Sequence, residues 1–143
     1  MATPSDPARV ALIGHIDLFD GCSNRDLARI ARLCEDYEVD EGTILTREGD
    51  ERDDVFVIIE GVARVERGGQ IVAQLREGDF FGELAVLDPG PRTATVVAES
   101  PMFVLVLRAE QLEEVVRGSP AVAMAMLRSL ARRLRQAVPA LMT

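Results

Sequence analysis

The chain contains no lysine and no tryptophan, a single histidine, two cysteines, and only five phenylalanines and one tyrosine among its 143 residues. Each scarcity closes off a class of chemistry. Without lysine there is no Schiff-base catalysis and no phosphate-binding P-loop, and all 16 basic residues are arginine. His15 alone, with Cys22 and Cys34 far apart, cannot assemble a His-rich metal site or a four-cysteine cluster. Two cysteines are also too few for a disulfide framework, and each sits among apolar neighbours, so both are expected as buried free thiols. No 18 apolar residues run unbroken, which argues against a transmembrane helix. Residues 1–7 are small and polar, lack the basic start and apolar run of a secretion signal, and are expected to be disordered; the expected location is the cytoplasm.

Basic charge is scarce as well. The net charge is −8, which opposes a phosphate-backbone partner, since nucleic-acid binding needs clustered positive charge. What the chain does have is apolar residues, 48% of the total, enough for a hydrophobic core in one domain of this length. A single domain over residues 1–143 is expected.

Three stretches differ in pattern. Helices are expected over residues 8–35, weakly from Ala8 to Phe19 and clearly from Ser23, where Ser23 and Asp26 make an S-x-x-D capping pattern. Leu27, Ile30, Ala31 and Cys34 follow at helical spacing, with Arg25, Arg29 and Arg32 on the solvated side. Over residues 37–107 short β-branched and apolar runs alternate with glycine, aspartate and proline. These runs are Val55–Ile59, Val62–Glu66, Ile71–Leu75, Thr93–Ala98 and Met102–Leu107, with a hairpin turn at Arg67-Gly68-Gly69-Gln70. The expected class is mainly β with flanking helices, a β-roll or jelly-roll of the double-stranded β-helix (cupin-like) kind. Residues 109–137 are helical again. One helix ends at Gly118; the next starts at Ser119-Pro120, a capping serine followed by proline at the first helical position. Its expected seam is Ala123, Leu127, Leu130 and Leu134. The acidic run Glu48, Asp50, Glu51, Asp53, Asp54 does not follow calcium-loop spacing and is expected as a solvated turn.

The segment that carries chemistry is Phe80 to Ala98, FFGELAVLDPGPRTATVVA. Gly82 lets a ligand or another backbone approach closely. Glu83 follows it, and Leu84 to Leu87 read as one helical turn whose unpaired N–H groups suit a phosphate. Arg92, nine residues after Glu83, offers a charged fork for phosphate oxygens. Amides, an arginine and a carboxylate together match a compact phosphorylated sugar. The same residues fit a simple Glu83–Arg92 salt bridge across a turn, and their spacing does not choose between the two.

The stretch resembles the phosphate-binding cassette of cyclic nucleotide-binding domains, found in cyclic-nucleotide-dependent kinases, gated channels and catabolite-activator-type regulators. F-G-E-L-A, a short loop and P-R-T-A-T-V carry the resemblance, with Gly42, Glu48-Gly49-Asp50, Gly61 and Gly78-Asp79 in place around them. It covers roughly residues 16–136. The resemblance implies that Arg92 pairs with the cyclic phosphate and that Glu83 receives the ribose 2′-hydroxyl. Gly82, Leu84 and Ala85 would offer backbone groups, and Thr93 would reach the phosphate, with Phe81, Val72 and Leu75 as pocket walls. The implied ligand is cAMP. Thr93 keeps cGMP open, because it stands where members of both preferences carry serine or threonine. The implied mechanism is a shift in position of the C-terminal helices.

The chain departs from relatives that cap the base with an aromatic residue, since its last helix has none. The lid would then be Leu127, Leu130 or Leu134, or a stacked Arg133. Alternatives are a cupin-like metalloenzyme, opposed by the single histidine; a DNA-binding regulator, opposed by the missing helix-turn-helix and basic face; and a degenerate domain that serves only for interaction, opposed by the intact Glu83 and Arg92. The expectation is a sensor with no catalytic residues, no metal, no nucleic-acid or membrane contact, an effector left open and a homodimer as one option.

Overall fold

The computed structural model describes residues 6–82 and 87–138. Helix α1 (Asp6–Ile13) and a 3-10 turn (Asp17–Phe19) replace the single weak helix expected from Ala8 to Phe19. Helix α2 (Asn24–Leu33) starts where its capping signal lies, with the Ser23 hydroxyl accepting from the Asp26 N–H at 3.1 Å. Two helices close the described chain, α3 (Ala109–Gly118) and α4 (Pro120–Ala137).

Between them run β1 (Glu35–Val39), β2 (Ile44–Thr46), β3 (Val55–Glu60), β4 (Ala63–Arg67), β5 (Gln70–Leu75), β6 (Phe80–Phe81), β7 (Thr95–Ala98) and β8 (Met102–Leu107). They form two four-stranded antiparallel sheets, ordered β1-β8-β3-β6 and β2-β7-β4-β5. The strand region begins at Glu35 rather than residue 37, and the strand expected from Thr93 begins at Thr95. Gly68 and Gly69, at φ 59° and 80°, supply the two positive-φ residues that a tight β4–β5 hairpin requires.

Why β3 and β8 read as unbroken apolar runs follows from where they lie. One face of β3 (Val55, Val57, Ile59) and of β8 (Phe103, Leu105, Leu107) packs against the helices. The other faces (Phe56, Ile58; Met102, Val104, Val106) pack between the sheets. Strands buried on both sides need apolar residues at every position, and each such side chain contributes roughly 1.5–3 kcal/mol. By contrast β5 sits at a sheet edge and is exposed along most of its length.

The helix seams differ in part from expectation. α4 buries Val122, Ala125 and Met126, not Ala123, Leu127, Leu130 and Leu134; Leu127 is 62% and Leu134 52% exposed. Apolar spacing alone cannot fix which stripe faces inward when a helix carries two. Arg29, expected to be solvated, instead bridges α2 to α3, donating to the Glu114 carbonyl at 3.1 Å. Cys34 is buried as expected and its thiol is pushed up to about 12 by desolvation, whereas Cys22 is half-buried. No helix of the described residues is long and apolar enough to cross a membrane.

Candidate functional site

A cavity of ≈650 Å³ opens between the β2-β7-β4-β5 sheet, β6 and the inner side of α4. Its size is that of a small-ligand site.

Arg92 is the charged group at its base. The loop before β7 brings it there, and its backbone is laced to the acidic turn: the Arg92 N–H donates to the Asp50 carbonyl at 2.6 Å, and the Gly49 N–H donates to the Arg92 carbonyl at 2.9 Å. The residue is only 6% exposed. Its Nη1 donates to the Gly82 carbonyl at 3.1 Å and Nη2 to the Asp54 carbonyl at 2.8 Å. The Nε is buried and unpartnered. No ion pair among the described residues involves Arg92; among them, the guanidinium is steered by the neutral carbonyls of Gly82 and Asp54. Burial lowers its pKa, with Asp54, Asp53 and Asp50 acting the other way through space. A buried cation that lines a cavity has the charge that suits an anion.

Gly82 makes this placement possible. At φ 93° it holds a conformation that side chains rarely adopt. A Cβ there would stand 2.4 Å from the Asp54 carbonyl oxygen and 2.8 Å from Arg92 Nη1. Gly82 and Arg92 are therefore one unit: the guanidinium occupies the space a side chain would take.

The other expected residues divide three ways. Phe81, Val72, Leu75 and Thr93 line the cavity. Phe81 is held by a stacked Phe56 ring, centroids 4.8 Å apart, while Thr93 is exposed. Glu83, Leu84 and Ala85 lie outside the described residues. Of the expected lid, Arg133 lines the cavity and Leu127, Leu130 and Leu134 do not. Arg133 sits over the Phe80 ring, 4.6 Å from its centroid, and donates to the Phe80 carbonyl.

Sequence reasoning missed the polar inner stripe of α4: Ser129, Arg132 and Gln136 beside Ala125. The signal was present, since these positions continue the i, i+3, i+4 spacing that begins at the buried Val122. It also missed Leu18 of the 3-10 turn, which reaches the cavity from the far end of the sequence, and Asp54, which acts through a backbone carbonyl that no side-chain pattern reveals.

The sequence matches the model of the cyclic nucleotide-binding domain family over residues 37–119, more than half of the chain and inclusive of the Phe80–Ala98 segment. The chain belongs to this family. It is 37% identical over 87 residues to a cAMP-dependent protein kinase regulatory subunit of Mycosarcoma maydis, covering 58% of this chain and 17% of that one. It is 25% identical over 130 residues to a CRP-like cAMP-activated global transcriptional regulator of Mycobacterium tuberculosis, covering 87% and 58%. Among solved structures it resembles the Thermus thermophilus catabolite activator protein, with a TM-score of 0.79, 31% identity, and coverage of 87% of this chain and 61% of that one. The chain thus spans less than two thirds of each. These relatives are regulatory proteins. In this cyclic nucleotide-binding domain Arg92, Gly82 and the Phe81 wall fall inside the family match, whereas α4, with Arg133, lies beyond residue 119.

Proposed function

We propose that this domain is a cAMP sensor in which Arg92 takes the cyclic phosphate and α4 responds to the occupied cavity. The observation that carries the reading is the buried Arg92 guanidinium, held among the described residues by two carbonyls, lining a ≈650 Å³ cavity in a chain of this family. A singly charged phosphate supplies a counter-charge to this guanidinium. Glu83 receives the ribose 2′-hydroxyl, Leu84 and Ala85 offer backbone groups, and the base lies towards Val72, Leu75 and Phe81. Thr93, exposed at the cavity, is the feature that admits cGMP.

The contact of Arg133 with Phe80 ties α4 to the cavity wall. A ligand that binds one position of α4 better than another shifts its population by that difference in affinity. The chain has no catalytic part in this scheme, works as one domain in the cytoplasm, and passes the signal to an effector. The outer side of α4 supports a second copy as a partner: Leu127, Leu130 and Leu134 recur at spacings of three and four, the seam of paired helices.

The test is thermal unfolding with saturating cAMP or cGMP. A ligand bound only to the native state at 100 times its Kd adds about 2.7 kcal/mol of stability. For a domain of this length that is roughly 5–10 °C in Tm. No shift with either nucleotide overturns the reading.

A further inference from the structure

The junction between α3 and α4 is one residue long. Ser119 is at once the last cap of α3 and the first cap of α4: its N–H donates to the Val115 carbonyl at 2.9 Å, and its hydroxyl accepts from the Val122 N–H. It is only 4% exposed. Helix α2, from the other end of the chain, holds this joint with two side chains. Asp26 accepts a hydrogen bond from the Ser119 hydroxyl at 3.4 Å. Arg29 donates to the Glu114 carbonyl and pairs with its carboxylate at 3.3 Å. The same guanidinium sits against Gly118, so close that a Cβ there would overlap it, 2.3 Å from Nη1. A cation at the C-terminal end of α3 is also favoured by the helix dipole. None of Asp26, Arg29, Gly118 or Ser119 lines the cavity.

We infer that Asp26 and Arg29 are positioning residues which set nucleotide retention by fixing the angle of α4 at Ser119. The inference rests on the reading that α4 closes the cavity. Leverage makes the link quantitative. Arg133 lies 14 residues beyond Ser119, roughly 21 Å along the helix at 1.5 Å per residue. A pivot of about 5° at the joint therefore moves Arg133 by roughly 2 Å, enough to break its hydrogen bond to the Phe80 carbonyl. Residues that touch no ligand thus control the wall that does.

Two measurements on the full chain test this. The first needs no ligand: hydrogen exchange in the wild type, in Arg29→Gln and in Gly118→Ala. Both variants should speed exchange at amides 129–136 about 3- to 10-fold while leaving β3 and β8 unchanged. Gly118→Ala separates the joint from general stability, because alanine in the last turn favours α3 while evicting the Arg29 guanidinium. Its Tm should hold while α4 loosens. The second measurement is displacement of a fluorescent cAMP analogue. Arg29→Gln should speed release about 3- to 10-fold with little change in capture, and in an Arg133→Gln background it should add nothing, because it acts through that residue. Unchanged exchange in α4, or effects of Arg29 and Arg133 that simply add, overturns the inference. If the wild type fails to bind the analogue, the sensor reading falls, while the exchange result still decides whether α2 holds the joint.

Discussion

Replacing Arg92 by leucine removes the one charge that the Phe80–Ala98 segment offers to a phosphate. In the nucleotide complex this leaves a buried anion without its partner, typically a loss of about 3–5 kcal/mol. At about 1.4 kcal/mol per factor of ten, affinity for cAMP should fall between a hundred- and a few-thousand-fold. The ligand-free protein should be far less affected. Leucine forfeits the hydrogen bonds to the Gly82 and Asp54 carbonyls, about 1.5–3 kcal/mol each for a charged donor. It also removes the cost of desolvating a guanidinium that is only 6% exposed, several kcal/mol in the opposite sense. The two nearly offset, so the apo Tm should move by less than about 5 °C. Glu83→Ala should lose less, roughly 10- to 150-fold, since it sacrifices one charge-assisted hydrogen bond. Titration calorimetry gives the affinities, and calorimetric melting of the empty variants gives the stabilities. If Arg92→Leu costs less than tenfold in affinity while markedly lowering the apo Tm, the arginine is a brace between the acidic turn and Gly82, and its assignment to the phosphate is wrong.

Three further outcomes follow from the same geometry. Gly82→Ala should lower stability by about 1–3 kcal/mol through backbone strain and weaken cAMP binding, because its Cβ would overlap the Asp54 carbonyl and Arg92 Nη1; an unchanged Tm would contradict this. Leu127→Ala and Leu134→Ala should leave the rate of cAMP release unaltered, since both side chains point away from the cavity, whereas Arg133→Ala should speed it; faster release from a leucine variant would restore the aliphatic lid. The Cys34 thiol is held at about 12 against an ordinary 9.0. Its folded-state pKa is raised, so its contribution is fully present below pH 9 and is lost as pH rises from 9 to 12, by about 1.4 kcal/mol per pH unit. Unfolding free energies of the wild type and Cys34→Val over that range should diverge with this slope, and parallel curves would show that the thiol titrates normally.

Much of this protein was legible because the signals were local. Ser23 and Ser119 mark helix starts through hydrogen bonds spanning three residues, and Gly68-Gly69 marks a hairpin through backbone freedom alone. The doubled apolar faces of β3 and β8 appear in sequence as unbroken runs. The Phe80–Ala98 segment is likewise contiguous, so its resemblance to a phosphate-binding cassette was legible, and it pointed to Gly82, Arg92 and Thr93, which line one cavity; the spacing of these residues alone left a simple salt bridge open. Three other matters were decided by tertiary structure. Apolar spacing on α4 offers two stripes, and only packing against the 3-10 turn and α3 chooses Val122-Ala125-Met126 and turns Leu127 and Leu134 outwards. The partners of Arg92 are backbone carbonyls of Asp54 and Gly82, and a carbonyl leaves no mark in a residue pattern. The hold of α2 on the α3–α4 joint links Asp26 and Arg29 to residues some ninety positions away, a separation at which composition and periodicity carry no information and only the path of the chain brings the groups together.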